Sequence, residues 1–165
     1  EVVPITSLVA QHLHEEGMAD VADDLIGFDM TLLHYRRTFV EKMFAIHGKV
    51  TRLLDEDHPL GRDARHYPDL YALAGEREVR AMLASPEYDE IRKDYDEKSR
   101  TFFGDIYRPP TNLSFTDSPA LFPEPELRER LAADYETQCR LLFSGAAYPS
   151  FADVLARFEE IRSLL

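Results

Sequence analysis

Cysteine is nearly absent: Cys139 is the only one in 165 residues. An internal disulfide is excluded, and the count suits a reducing compartment. Its place in a helical pattern between Tyr135 and Leu142 marks it as a small core residue rather than a nucleophile. Cations are also scarce, with 19 Lys and Arg against 31 Asp and Glu, a formal net charge of −12. A chain this acidic repels phosphate backbones, which argues against a broad grip on nucleic acid and suits a basic protein partner. No apolar run approaches the roughly 20 residues of a membrane span, and the first stretch lacks a basic region followed by an apolar core. A membrane partner is therefore not expected, and a cytoplasmic location is the default. The seven glycines build no phosphate-cradling loop, and the chain has neither a GxSxG elbow nor a Cys/His nucleophile pair.

What is present is the composition of a globular protein, 44% hydrophobic and 30% charged, long enough to bury a sizeable core. The richest stretch runs from Tyr35 to Ala74. Phe39, Met43, Ile46, Val50 and Leu53 recur at three- and four-residue steps, which predicts a helix from Tyr35 to about Leu54 with one apolar face. Lys42 falls off that face with Thr38, Ala45 and Lys49. His47, five residues on, is about 140° around the helix from Lys42, so the two cannot easily meet one ligand. After the acidic break DEDHP (Asp55 to Pro59) comes a second polar helix start. A proline is tolerated in a first turn and bends a helix elsewhere, so the helix is expected to start near Ala64 to His66 or to kink at Pro68. Arg65, His66 and Asp69 then lie within about one turn of each other. An Arg65–Asp69 ion pair at i, i+4 is the plainest use of those two opposite charges.

The remaining elements follow from caps and breaks. Ser7 or Thr6 caps a helix over LVAQHLHEEG, closed by Gly17. Residues Asp20 to Leu25 are too short and acidic to assign, and Phe28 to Leu33 is β-compatible. Helices are expected over Glu76 to Ala84, Pro86 to Gly104, Glu126 to Phe143 and Phe151 to Leu165, the last capped by Ser150. The proline-rich segment Asp105 to Pro125 reads as a long irregular loop that wraps the surface and buries Phe115, Leu121 and Phe122. The expected fold is mainly α, a bundle of six or seven helices with one leftover strand near the N-terminus. Asp55, Glu56, Asp57 and His58 form a solvated acidic loop rather than a metal site, and His12 and His14 face opposite sides of their helix.

The segments RRTFVEKMFAIHG (Arg36 to Gly48) and RDARHYPDLYALA (Arg62 to Ala74) resemble the paired motifs "RTF..EK....H" and "R..RH..DLY.L" of the AbiEii/AbiGii nucleotidyltransferase toxins. These are the toxin halves of bacterial abortive-infection and type IV toxin–antitoxin modules. The tail from Leu131 to Leu165 is similar to the family's closing "DY..M" helix, "P.SF" turn and final helix. The resemblance implies that Lys42 contacts nucleotide phosphates and that Asp69 completes the active site. Arg37, Arg65, His66 and His47 would then bind substrate or hold those two in place.

The resemblance further implies transfer of a nucleotide from an NTP, with Mg²⁺, to an RNA or protein acceptor, an antitoxin as a partner, and RNA contacts through a preceding part of the protein. The family's metal-binding motif, GG(T/S)AL...S.D.D, has no counterpart here. The chain is therefore expected to be the helical C-terminal portion of a longer enzyme, inactive and free of metal and NTP by itself. Residues 1–34 would be the remnant of the nucleotidyltransferase core, and 35–165 the helical domain. The lone strand would be loose or pair with a second copy. Two other classes compete: a helical interaction module that kept the scaffold and lost the chemistry, and a metal-dependent phosphohydrolase, which lacks a paired His/Asp ligand set. Lys42 and Asp69 facing each other across open space, rather than sealed in the bundle, would separate the enzyme from the module.

Overall fold

The computed structural model describes residues 2–18 and 25–165. The segment left unassigned from sequence, Asp20 to Leu25, falls outside the described residues except for Leu25. The chain forms two compact units, Glu1–His34 and Tyr35–Leu165.

The smaller unit holds strand β1 (Val2–Ile5), helix α1 (Leu8–Glu15) and strand β2 (Phe28–Thr31). Ser7 caps α1 by accepting the Ala10 N–H at 2.9 Å. Gly17 closes it at φ +68, a left-handed conformation that glycine adopts without a Cβ penalty. The strand expected to stand alone does not: β2 pairs antiparallel with β1, Val3 opposite Met30 and Ile5 opposite Phe28. The sequence hid β1 because Val2 to Ile5 is too short to show a period of two and carries Pro4. A proline in a strand needs an edge position, and a two-stranded sheet consists of edges.

The larger unit is built around α2 (Tyr35–Glu56). The five apolar residues of its expected stripe are buried, and Val40, Phe44 and His47 are buried as well. Its apolar contact is therefore wider than one surface stripe, because α3 (His66–Gly75), α4 (Arg77–Leu83) and α5 (Pro86–Phe103) all pack on it. Helices α6 (Pro125–Phe143) and α7 (Phe151–Ile161) close the far side, α6 against the 3-10 turn Gly61–Arg65 and α7 against α3. Ser150 and Asp153 cap α7 reciprocally, each side chain bonded to the other's backbone N–H. No helix among the described residues is long and apolar enough to cross a membrane.

Pro68 sits in the first turn of α3, as its missing N–H requires. The preceding Tyr67 is fully buried, edge-on to Phe151 at 5.1 Å between ring centroids, and donates its hydroxyl to the Ala120 carbonyl at 2.9 Å. That bond pins the long loop. Phe115 and Leu121 are buried as expected, with Phe122 packed at the margin, and Phe115 meets Phe44 edge-on at 4.9 Å. Cys139 is buried, and burial pushes its thiol pKa up, the behaviour of a core residue.

Candidate functional site

Helix α2 carries Lys42 and Lys49 seven residues apart, so both project from one stripe. The 3-10 turn and α3 lie beside that stripe, and each lysine meets a carboxylate there. Lys42 Nζ donates to Asp69 Oδ2 at 2.7 Å, and Lys49 Nζ lies 3.0 Å from Asp63 Oδ2. Because Pro68 fixes where α3 begins, Asp69 falls in its first turn, facing α2 rather than back along its own helix. The expected Arg65–Asp69 pair is not formed. A carboxylate within reach of both goes to the lysine, whose long stem lets it cross between helices.

The Lys42–Asp69 pair is open to water: the Lys42 side chain is 24% exposed and that of Asp69 53%. Partial exposure keeps the pair weak in stability terms and available to a ligand. His66 stands next to it. Burial lowers the His66 pKa, with the Lys42 charge adding to the effect and Asp63 and Asp69 opposing it. The imidazole is therefore neutral near pH 7, and its Nδ1 is buried with no hydrogen-bond partner among the described residues. Arg65 is exposed and makes no ion pair among the described residues.

Two of the expected residues are elsewhere. Arg37 is engaged by carboxylates, Nε to Glu41 at 2.9 Å and Nη2 to Asp94 of α5 at 2.6 Å. Its guanidinium ties α2 to α5 rather than meeting Lys42. His47 is only 7% exposed and points at the long loop, its Nδ1 2.8 Å from Ser118 Oγ. Burial lowers its pKa to about 4, partly offset by the Pro109 carbonyl. The site thus gathers Lys42, Asp69, His66 and Arg65, while Arg37 and His47 act on other faces of α2. Sequence reasoning passed over Asp63. Its signal was the six-residue spacing to Asp69, close to the seven between the two lysines.

Chemically, the arrangement offers a cation for phosphate oxygens, a carboxylate that can orient or deprotonate a hydroxyl, and a neutral imidazole nitrogen. Among the described residues, no group of three or more His, Cys, Asp or Glu side chains could hold a metal ion. Two acids at the end of α2 are spent on ion pairs: Glu56 with Arg52 and Arg108, Asp57 with Arg130. A divalent metal does not fit the described residues.

A protein-family model described as "Nucleotidyl transferase AbiEii toxin, Type IV TA system" matches residues 1–157. No curated protein and no solved structure gives a significant match.

Proposed function

The chain belongs to the AbiEii nucleotidyl transferase toxin family, and from that premise we propose that Lys42 and Asp69 work together at a site that transfers a nucleotide from an NTP to an RNA or protein acceptor. The observation that carries the reading is the 2.7 Å contact between them. They lie 27 residues apart in the two motif segments, and the fold joins them in water rather than in the core. Phosphoryl and nucleotidyl transfer need chiefly positioning and charge neutralisation. Lys42 would neutralise phosphate oxygens. Asp69, released from Lys42 as phosphate takes its place, would orient the acceptor hydroxyl and draw its proton as that oxygen bonds to the α-phosphorus and pyrophosphate leaves. His66, neutral, stands beside the pair without adding charge.

On this reading the metal-binding carboxylates of the reaction come from another part of the protein, and an antitoxin is the partner that restrains it. The test is transfer of label from each α-³²P-NTP, with Mg²⁺, to cellular RNA and to protein, using the protein as its gene encodes it. Label that reaches an acceptor with wild type and not with Lys42→Met or Asp69→Asn supports the assignment. Equal transfer by all three proteins removes these residues from the site. No transfer by wild type favours a second reading, a helical interaction module without catalysis. What speaks for that module is that Asp69 already satisfies Lys42 and that no metal-holding group is found among the described residues.

A further inference from the structure

We propose that Arg62 and Arg65 form a phosphate-binding fork beside the Lys42–Asp69 pair, an inference that extends the transferase reading above. The chain carries fifteen arginines. Most are tied to carboxylates, as Arg36 is to Glu78 and Glu87, and Arg108 to Glu56. Arg128 and Arg140 each donate to a backbone carbonyl. Among the described residues, the side chains of Arg62, Arg65 and Arg77 make no ion pair and no hydrogen bond, and the first two are neighbours.

Shortage of acid cannot explain this, because the chain holds 31 Asp and Glu against 19 Lys and Arg. Nor are local carboxylates missing. Asp63 is adjacent to Arg62 but pairs with Lys49. Asp69 is four residues after Arg65, the ordinary intrahelical partner spacing, but pairs with Lys42. The two lysines of α2 remove the acids that would otherwise neutralise the arginines, and both guanidinium groups are left in water.

The backbone then aligns them. Residues Gly61–Arg65 form a 3-10 turn, in which side chains at i and i+3 eclipse, about 6 Å apart along the axis. Gly61 opens it at φ +51 with nothing within 4 Å of a Cβ position, so its glycine serves the turn rather than the packing. Two guanidinium forks on one face, unpaired, suit the oxygens of a phosphate, which arginine meets in bidentate fashion. His66 links the fork to the pair, since it senses both Lys42 and Arg65.

The phosphate has two sources with the same chemistry, the triphosphate of the nucleotide or the backbone of a polynucleotide, and one experiment separates them. Fluorescence anisotropy of the whole chain is measured with a fluorescent nucleoside triphosphate analogue and with a labelled single-stranded oligoribonucleotide. The proteins are wild type, R62Q/R65Q, R62K/R65K and the control R77Q.

The double Gln variant is expected to lose affinity about tenfold or more for at least one probe. A loss confined to one probe names the source. If the oligonucleotide is affected, the slope of log K against log salt falls by about 0.7 per arginine, which a merely structural role would not produce. The double Lys variant keeps that slope but not the full affinity, and R77Q matches wild type. The fork is overturned if wild type binds neither probe, if R62Q/R65Q binds both as wild type does, or if R77Q loses as much. Because the readout is binding, silence in the transfer assay with an intact fork effect removes the transferase reading alone.

Discussion

The Lys42–Asp69 and His47–Ser118 contacts both join α2 to a neighbouring segment, at 2.7 and 2.8 Å. Five residues of one helix separate Lys42 from His47, yet the contacts differ in surroundings. The first is charged, part-exposed and lies between two motif segments. The second is neutral, buried under the loop around Phe115, and its imidazole stands edge-on to that ring at 5.9 Å. An exposed ion pair contributes little to stability, because water competes for both charges. A buried polar pair contributes through its partner, because an orphaned buried group bears the full cost of desolvation. One helix therefore separates its exposed polarity from its buried polarity by about 140° of rotation.

The sharpest way to break this contrast is to remove the exposed charges. Lys42→Met or Asp69→Asn should lower nucleotide transfer by about 10²- to 10³-fold, the scale of losing one preorganised charge-stabilising group, while thermal melting stays within a few degrees. Transfer rates and calorimetry on the same preparations check both halves. A variant that unfolds instead would give Lys42 a structural role, and the contrast would collapse.

His47→Ala should do the reverse. It leaves Ser118 Oγ without its partner and opens space beside Phe115, at a cost of about 2–4 kcal/mol by urea unfolding. Phosphate-dependent binding should be unchanged. If transfer falls while stability holds, His47 belongs with the site after all.

Much of this division was legible in the chain itself. The apolar stripe of α2 needs only a period of 3.6, and Pro68 narrows α3 to a start near Ala64 to His66 or a kink there, which left Asp69 less closely placed. The rotation between Lys42 and His47 is plain arithmetic. What stayed hidden lies in partners distant along the chain. Nothing local says that His47 faces Ser118, 71 residues on, or that Arg37 reaches Asp94 on α5. The Arg65–Asp69 expectation failed for the same reason, because local spacing offers a candidate partner and the neighbouring helix offers a second. β1 escaped notice because four residues are too few for a pattern.

The pH dependence of folding sharpens the comparison next. The His47 pKa is held at about 4 in the folded protein, below the ordinary 6.5. Between those values the unfolded chain binds a proton that the folded one refuses. The contribution is complete above about pH 6.5 and is lost as pH falls toward 4, at about 1.4 kcal/mol per pH unit. Urea midpoints from pH 7 to 4.5 should show this slope, and His47→Gln should flatten it. A slope that survives the substitution would move the titration to another group, with His66, also lowered by burial, the first to try.

The smallest expected effect is the coupling within the exposed pair. A double-mutant cycle of Lys42→Met and Asp69→Asn, read by urea unfolding, should give about 0.2–1 kcal/mol. Raising salt from about 0.01 to 1 M, which shortens the screening length from about 30 to 3 Å, should reduce it further. Nucleotide should act in the same direction. If phosphate displaces Asp69 from Lys42, a saturating NTP lowers the coupling in the bound protein, whereas a ligand bound elsewhere leaves it unchanged. Coupling above about 2 kcal/mol would mean that the pair behaves as a desolvated salt bridge, too costly to open for substrate. Lys42 would then be a strut like Arg37, and the exposed face of α2 would no longer differ in kind from the buried one.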